Sequence, residues 1–234
     1  GELTPEIRIT GGDAYHLARV MRAQLGDVHV VAGADGRAAR MTVTAVARDA
    51  VTLRLDSYVE DDAPARAEVI LVQALLKGEK TDFVVQKAVE LGAKRIVPLR
   101  TARSEALPAD ERLSRKLAHW QGIVVASAMQ CGRATLPQVE AVRDFADILE
   151  DAPGLRWIFS PHDAPAASGQ AAEAVSVLIG PEGGFAPHEV TAAVNAGWLP
   201  QSLGPRVLRA DTAATVALAR AQAVFGDLSR EAVC

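Results

Sequence analysis

The chain has 234 residues, 49% of them hydrophobic, and a formal net charge of −4. That is enough apolar material for one large domain or a large domain with a small companion, and the mild acidity argues against an indiscriminately basic nucleic-acid binder while leaving room for a local basic face. With Phe 5, Trp 3 and Tyr 2 the core must be aliphatic; no run approaches the roughly 18 apolar residues of a membrane span, no secretory pattern opens the chain, and Cys131 and Cys234 are too far apart for a motif. A reducing cytoplasm, with no disulfide and no zinc site, is the expected setting.

Residues 1–60 read as all-β. "DVHVVAGADGRAARMTVTAVARDAVTLRL" alternates apolar and polar residues, with Gly33, Asp35-Gly36 and Arg48-Asp49 as turns. Before it, "DAYHLARVMRAQLGD" has the spacing of a short helix: Leu17, Val20, Met21 and Leu25 would share a face, Arg19 and Arg22 the opposite one, and Gly26 would end it. The expectation is a small barrel carrying one helix, followed by an acidic linker, "VEDDAPARAE".

From about residue 67 strands and helices alternate, which predicts an α/β domain with a parallel sheet. "EVILVQALL" reads as a buried strand, "EKTDFVVQKAVELG" as a helix closed by Gly92, "KRIVPL" as a second strand, residues 111–130 as a long helix, and "LRWIFS" and "SVLIG" as further strands. Between residues 77 and 116 lie all five lysines, Lys77, Lys80, Lys87, Lys94 and Lys116, with Arg95, Arg100, Arg103, Arg112 and Arg115, against six acids. This net +4 window is either the wet face of helices or a phosphate-contacting rim.

The stretch "VLIGPEGGFAPHEV" runs from a strand through a Gly-rich loop into a helix. Pro187 suits the first helical position, Glu189 can reach back to the N-cap, Phe185 and Val190 form a hydrophobic staple, and Gly197 closes the helix. Free backbone N–H groups at such a junction bind ligands in α/β sheets. The loop lacks the Lys-Ser/Thr of a P-loop and the dinucleotide fingerprint, so it is either a binding loop or a tight turn. A second Gly-Pro loop, in "SLGPRVLRADTAATVALARA", precedes a helix for which Asp211 is the expected cap; two such loops suggest one shared pocket, with Arg209 either aimed into it or solvated.

At these residues the chain resembles the RsmE-type rRNA methyltransferases of the SPOUT superfamily, through "HLARVMRAQLGD", "LLKGEKTDFVVQKAVELGAKRIVPLRTARS", "QCGRATLPQV", "LIGPEGGFAPHEV" and "LGPRVLRADTAATVALA", in the family's order. The resemblance implies a PUA-like β-barrel RNA-binding domain over residues 1–62. It also implies an α/β SPOUT methyltransferase domain over 67–234, its chain end threaded into a trefoil knot. It implies a homodimer that transfers a methyl group from S-adenosylmethionine to N3 of a uridine in the decoding region of 16S rRNA. The donor would be held by Leu178, Gly180, Pro181, Glu182, Gly183, Gly184, Leu203, Gly204, Val207, Leu208 and Arg209. Two departures stand out: Met129 where the family usually has Glu, and Leu208-Arg-Ala-Asp-Thr-Ala213 where it usually has Leu-Arg-Thr-Glu-Thr-Ala. The chain opens on Gly1, so the first barrel strand is expected to be shortened.

Methylating uracil N3 requires loss of a weakly acidic imide proton and stabilisation of the anion, which a rigid guanidinium fork can supply. Arg103, matching the family's Arg-Ser loop, is the first candidate and Arg209 the second; Glu182 is a candidate base by location. Arg19, Arg22, Lys80, Arg100, Arg103, Gln130 and Arg133 are the expected RNA contacts. His16, His29, His119, His162 and His188 show no ligand spacing, and no metal is expected. Two other classes stay open: an RNA-binding module with an inactive SPOUT domain, and a nucleotide-handling α/β enzyme unrelated to RNA.

Overall fold

The computed structural model describes residues 3–33, 37–59, 67–106, 110–133, 135–160 and 172–228. The expected Asp35-Gly36 turn, most of the acidic linker, His162 and Cys234 lie outside them. The chain divides into two compact units, Gly1–Ala63 with Ala128–Leu136, and Pro64–Ser127 with Pro137–Cys234.

In the first unit, period-two alternation produces β1 (Glu6–Thr10), β2 (Val28–Ala32), β3 (Ala38–Val46) and β4 (Ala50–Tyr58), an antiparallel sheet in the order β1-β4-β3-β2. Met41 and Val43 of β3 and Val51 and Leu53 of β4 place their apolar face in one core. Register shifts at Arg40/Met41 and Val43/Ala45 add local bends to β3. The turn at Arg48-Asp49 closes with the Ala47 N–H on the Ala50 carbonyl at 2.8 Å.

The helix expected up to Gly26 is shorter. An α-helical turn, α1 (Gly11–Tyr15), passes into a π-helical turn over His16–Val20, and Arg22 takes a left-handed φ of 54°. The Ala23 N–H bonds to the Leu17 carbonyl, six residues back, so the 3.6-residue spacing no longer applies. Leu17 is buried as expected, but Met21 and Leu25 are exposed and Ala23 is buried in their place. Gly26 belongs to the turn before β2, where the Asp27 carboxylate accepts the Gln24 N–H at 2.7 Å.

The second unit, which takes α3 as far as Ser127, runs β5 (Glu68–Ala74), α2 (Lys80–Glu90), β6 (Arg95–Arg100), α3 (Asp110–Cys131), β7 (Gln138–Val139), β8 (Arg143–Asp144), α4 (Phe145–Asp151), β9 (Leu155–Phe159), β10 (Ala174–Ile179), α5 (Pro187–Asn195), β11 (Leu199–Gln201) and α6 (Ala210–Phe225). Its sheet has the order β11-β9-β10-β5-β6-β7, with β8 also on β6, and every pairing is parallel. Both faces are covered, which explains the unbroken apolar runs of β5 and β10. Ile70, Val72, Ile158 and Leu178 turn to the face packed by Ile148 of α4 and Ala193 of α5. On the opposite face α6 lies against β5, β10 and α2, its Ala214, Ala217 and Ala221 fully buried.

Two of the expected helix stops are built as such. After α2, Gly92 at φ 73° gives its N–H to Val89 while Ala93 bonds back to Ala88; after α5, Gly197 at φ 85° bonds to Val194 and Trp198 to Ala193. Both are paired bonds across a left-handed glycine, which satisfy helix-end carbonyls. The cap of α6 differs from expectation: Arg209 holds the N-cap position, and Asp211 sits inside the first turn with its carboxylate on the Thr212 N–H.

Candidate active site

The site forms where the C-terminal ends of three adjacent parallel strands, β9, β10 and β11, release their chains. A cavity of about 570 Å³ lies there, lined by Ser160, by Gly180–Phe185 and by Gln201–Gly204 and Arg206–Ala210. The two Gly-Pro loops, separate in sequence, therefore share one pocket of the size that takes a drug-sized ligand. Of the candidate donor-binding residues, Gly180, Pro181, Glu182, Gly183, Gly184, Leu203, Gly204, Val207, Leu208 and Arg209 all line it. Leu178 does not: its side chain is fully buried in the core beside Ile158, because strand alternation turns it away, and Ile179 lines the cavity instead.

The first loop is shaped by its own backbone. The Gly184 N–H bonds to the Pro181 carbonyl at 2.9 Å, and Gly184 takes a φ of 65° that β-carbon-bearing residues avoid. A methyl group on Gly180 would sit 3.2 Å from the Phe185 ring. In the second loop, Val207 is 84% exposed and Arg206 and Arg209 are exposed. Among the described residues no carboxylate pairs with Arg209.

Glu182 fastens the first loop to the start of α2. Its Oε1 accepts from Lys80 Nζ at 2.9 Å and from the Lys77 N–H at 3.2 Å. Burial works against its charge and is the largest single influence, but the Lys80 ammonium and the nearby backbone N–H groups together outweigh it and hold the carboxyl below its ordinary range. Glu182 is thereby a carboxylate tied to Lys80 and to the backbone at the start of α2.

Arg103 lies on the loop after β6 and reaches across to the same glycines. Its Nη1 donates to the Gly183 carbonyl at 2.9 Å and approaches that of Phe185 at 3.5 Å. It lines a second cavity of about 380 Å³ that shares Ser160, Gly183, Gly184 and Phe185 with the first. The third residue of α5 does more than the sequence suggested. Glu189 reaches back to the Ala186 N–H at 2.8 Å as expected, and its other oxygen accepts the Ala102 N–H, also at 2.8 Å. That second bond joins positions 87 residues apart, which helix-cap spacing could not reveal.

The expected RNA contacts are distributed differently. Arg100 forms a two-pronged pair with Asp144, whose carboxyl it holds below the ordinary range while its own pKa rises. Among the described residues, six of the ten cations in the basic window have a carboxylate partner: Lys80, Lys87, Arg95, Arg100, Arg115 and Lys116. Arg19 and Arg22 are exposed in the first unit, which also includes exposed Gln130 and half-buried Arg133 at and beyond the end of α3. Ser160, Gln201, Ala210 and Ala213 line the main cavity and were not singled out from sequence; β11, only three residues long, gave no periodic signal. Among the described residues no three His, Cys, Asp or Glu gather as a metal site.

A parallel sheet that opens glycine loops onto a ligand cavity beside an arginine loop defines a class, and the family comparison names it: residues 63–222 match the RNA methyltransferase domain model, so the chain belongs to that family. Ribosomal RNA small subunit methyltransferase E of Mycobacterium bovis is 32% identical over 220 residues, covering 90% of this chain and 83% of the relative, and that of Bacillus subtilis is 28% identical over 229 residues, covering 93% and 90%. A Legionella pneumophila methyltransferase solved with SAM superposes with TM-score 0.87 at 32% identity, and the Neisseria gonorrhoeae small subunit methyltransferase E bound to S-adenosyl methionine with TM-score 0.87 at 27%; each comparison covers 97% of this chain and 96% of the other.

Proposed function

We propose that this protein transfers a methyl group from S-adenosylmethionine to N3 of one uridine in the decoding region of 16S rRNA. The observation that carries the reading is the pairing of the two cavities: a glycine-walled one that suits a nucleoside, and an arginine-lined one sharing its rim at Gly183, Gly184 and Phe185. The small-subunit rRNA substrate is supported by the similarity to small subunit rRNA methyltransferases, and the donor by the two SAM-bound structures. The donor fits the residues present. Gly183 and Gly184 leave the loop backbone bare, Gly180 has no room for a side chain, and the second loop contributes Leu203, Gly204, Val207 and Leu208.

S-adenosylmethionine supplies a methyl already activated by its sulfonium. The protein's own task is then placement of the uracil and stabilisation of its anion. Arg103 commits one nitrogen to the loop carbonyls and keeps its remaining N–H donors for O2 or O4 of the base. Arg209, on the rim with no carboxylate partner among the described residues, is the second donor. Glu182, paired with Lys80, shapes the loop rather than removing the proton.

The remaining assignments belong to the same proposal: a PUA-like RNA-binding domain over residues 1–62 using Arg19 and Arg22, a methyltransferase domain over 67–234 with a threaded chain end, a homodimer, and a cytoplasmic site of action. Gln130 and Arg133 are further RNA contacts of the first unit, and Lys80 and Arg100 of the second, where each is paired with a carboxylate.

The test is transfer of labelled methyl to small ribosomal subunits lacking the modification, with the site read as a reverse-transcription stop. The expected result is one stop in the decoding region, with kcat reduced roughly 100- to 1,000-fold in Arg103→Ala at unchanged donor affinity. Donor binding without incorporation would overturn the substrate assignment, and no donor binding would overturn the enzyme reading.

A further inference from the structure

Arg103 and Glu189 form a reciprocal clasp between two loops. The arginine of the 101–104 loop grips carbonyls of the glycine loop, through Gly183 at 2.9 Å and Phe185 at 3.5 Å. The carboxylate of Glu189 grips N–H groups of both, Ala186 and Ala102, each at 2.8 Å. A side chain from each segment reaches the backbone of the other, with the donors all on the 101–104 loop and the acceptors all on the glycine-loop side, so the register between them is fixed at two points rather than one. Glu189 is 4% exposed, and both of its oxygens are committed to backbone N–H groups. A carboxylate so placed in a helix's first turn needs only the Ala186 bond to cap the helix; the bond to Ala102, next to Arg103 in sequence, is surplus to capping. Ser104 adds a third tie within the loop, its Oγ accepting the Thr101 N–H at 3.0 Å and donating to the Thr101 carbonyl at 3.1 Å.

We infer that Glu189 is a positioning residue for the methyl-transfer step: it fixes the backbone beside Arg103 so that the guanidinium meets the target base in the second cavity without reorganising. The inference rests on the proposed function for what Arg103 does, but the clasp itself does not. Fixed donors cost nothing to reorient during the reaction, whereas a loop free to shift by about 1 Å can lower the rate roughly 100-fold. The donor cavity is built by the glycine loop and the 202–209 loop, so loosening Arg103's loop leaves donor binding in place.

Two variants separate this from a role in capping alone. Glu189→Gln keeps the size of the side chain but sets an amide N–H against one of the two N–H donors. Glu189→Asp keeps an anion at the helix start, and so the fold, but is one methylene too short to span both loops. The expected result is a kcat lowered roughly 10- to 100-fold in each, with donor affinity by calorimetry within about twofold of wild type. On an Arg103→Ala background either change should cost less than about threefold more, since the two residues act as one unit. Hydrogen exchange at the Ala102 amide should quicken in both variants. Losses that multiply with Arg103→Ala, or donor affinity that falls in step with kcat, would overturn the positioning role. Equal Ala102 exchange in wild type and Glu189→Asp would overturn the clasp whether or not any methyl is transferred. A wild-type protein that transfers no methyl would overturn the function proposed above and with it the role of Glu189 in that reaction, while the exchange measurement would still judge the clasp.

Discussion

Gly180→Ala tests whether the first glycine of the loop is there for space. Its added methyl carbon would lie 3.2 Å from Cδ2 and Cε2 of Phe185 and 3.3 Å from the Phe185 backbone nitrogen, closer than methyl carbons ordinarily come. The ring has little room to retreat, since Phe185 is buried in the core and packs on Phe145 at a centroid distance of 5.8 Å. Overpacking of this kind costs about 1–3 kcal/mol, which for a domain of this size lowers the melting temperature by roughly 2–12 °C. Any part relieved by shifting Phe185 moves the Gly183–Phe185 segment that Arg103 grips, so donor affinity should fall as well. Thermal melting and calorimetric titration with S-adenosylmethionine measure the two parts. A variant with wild-type melting temperature and wild-type donor affinity would refute the packing argument.

The opposite sign is expected at Gly122, inside α3 and exposed, where an added methyl would meet nothing within 4 Å: Gly122→Ala should stabilise by about 0.5–1 kcal/mol, seen as a rise in melting temperature. The Glu182 carboxyl has its folded pKa below the ordinary 4.5, so the tie to Lys80 contributes stability that is complete above that pH and is lost as pH falls through the lower folded value. The melting-temperature gap between wild type and Glu182→Gln should therefore narrow on going from pH 7 to about pH 3.5, and a gap that widens would contradict the pairing. Asp82 accepts the Trp120 Nε1–H and faces His119 Nε2, both at 2.8 Å, and Trp120 is fully buried. Asp82→Ala should cost about 1–3 kcal/mol by leaving that indole N–H unpaired, measured by urea melts.

Local chemistry made much of the second unit legible. The strands β5, β6, β9 and β10 announced themselves as apolar runs because a parallel sheet covered on both faces needs no alternation. The ends of α2 and α5 followed from Gly92 and Gly197, and Phe185, Pro187 and Glu189 set the start of α5 by short-range geometry alone. The same local reasoning misjudged the segment around Leu17, where a π-helical turn and the left-handed Arg22 break the helical spacing and Ala23 joins Leu17 in the core of the first unit. It also passed over β7, β8 and β11, which are two or three residues long and exist as strands only through their partners.

For the site, the sequence by itself determined the loop chemistry: glycines where backbone must be bare, prolines that stiffen, and arginine beside them. Tertiary structure alone decided which of these residues meet. Parallel pairing brought the ends of β9, β10 and β11 to one edge, so that Gly180–Gly184 and Leu203–Arg209 enclose one cavity while Leu178 turns into the core. It also matched carboxylates to cations far apart in the chain, Glu182 to Lys80 and Asp144 to Arg100, and bridged Ala102 to Glu189 across 87 positions. The reason is physical: caps and turns are satisfied within a few residues, whereas a charge finds its partner, and a strand its neighbour, only after the core has closed.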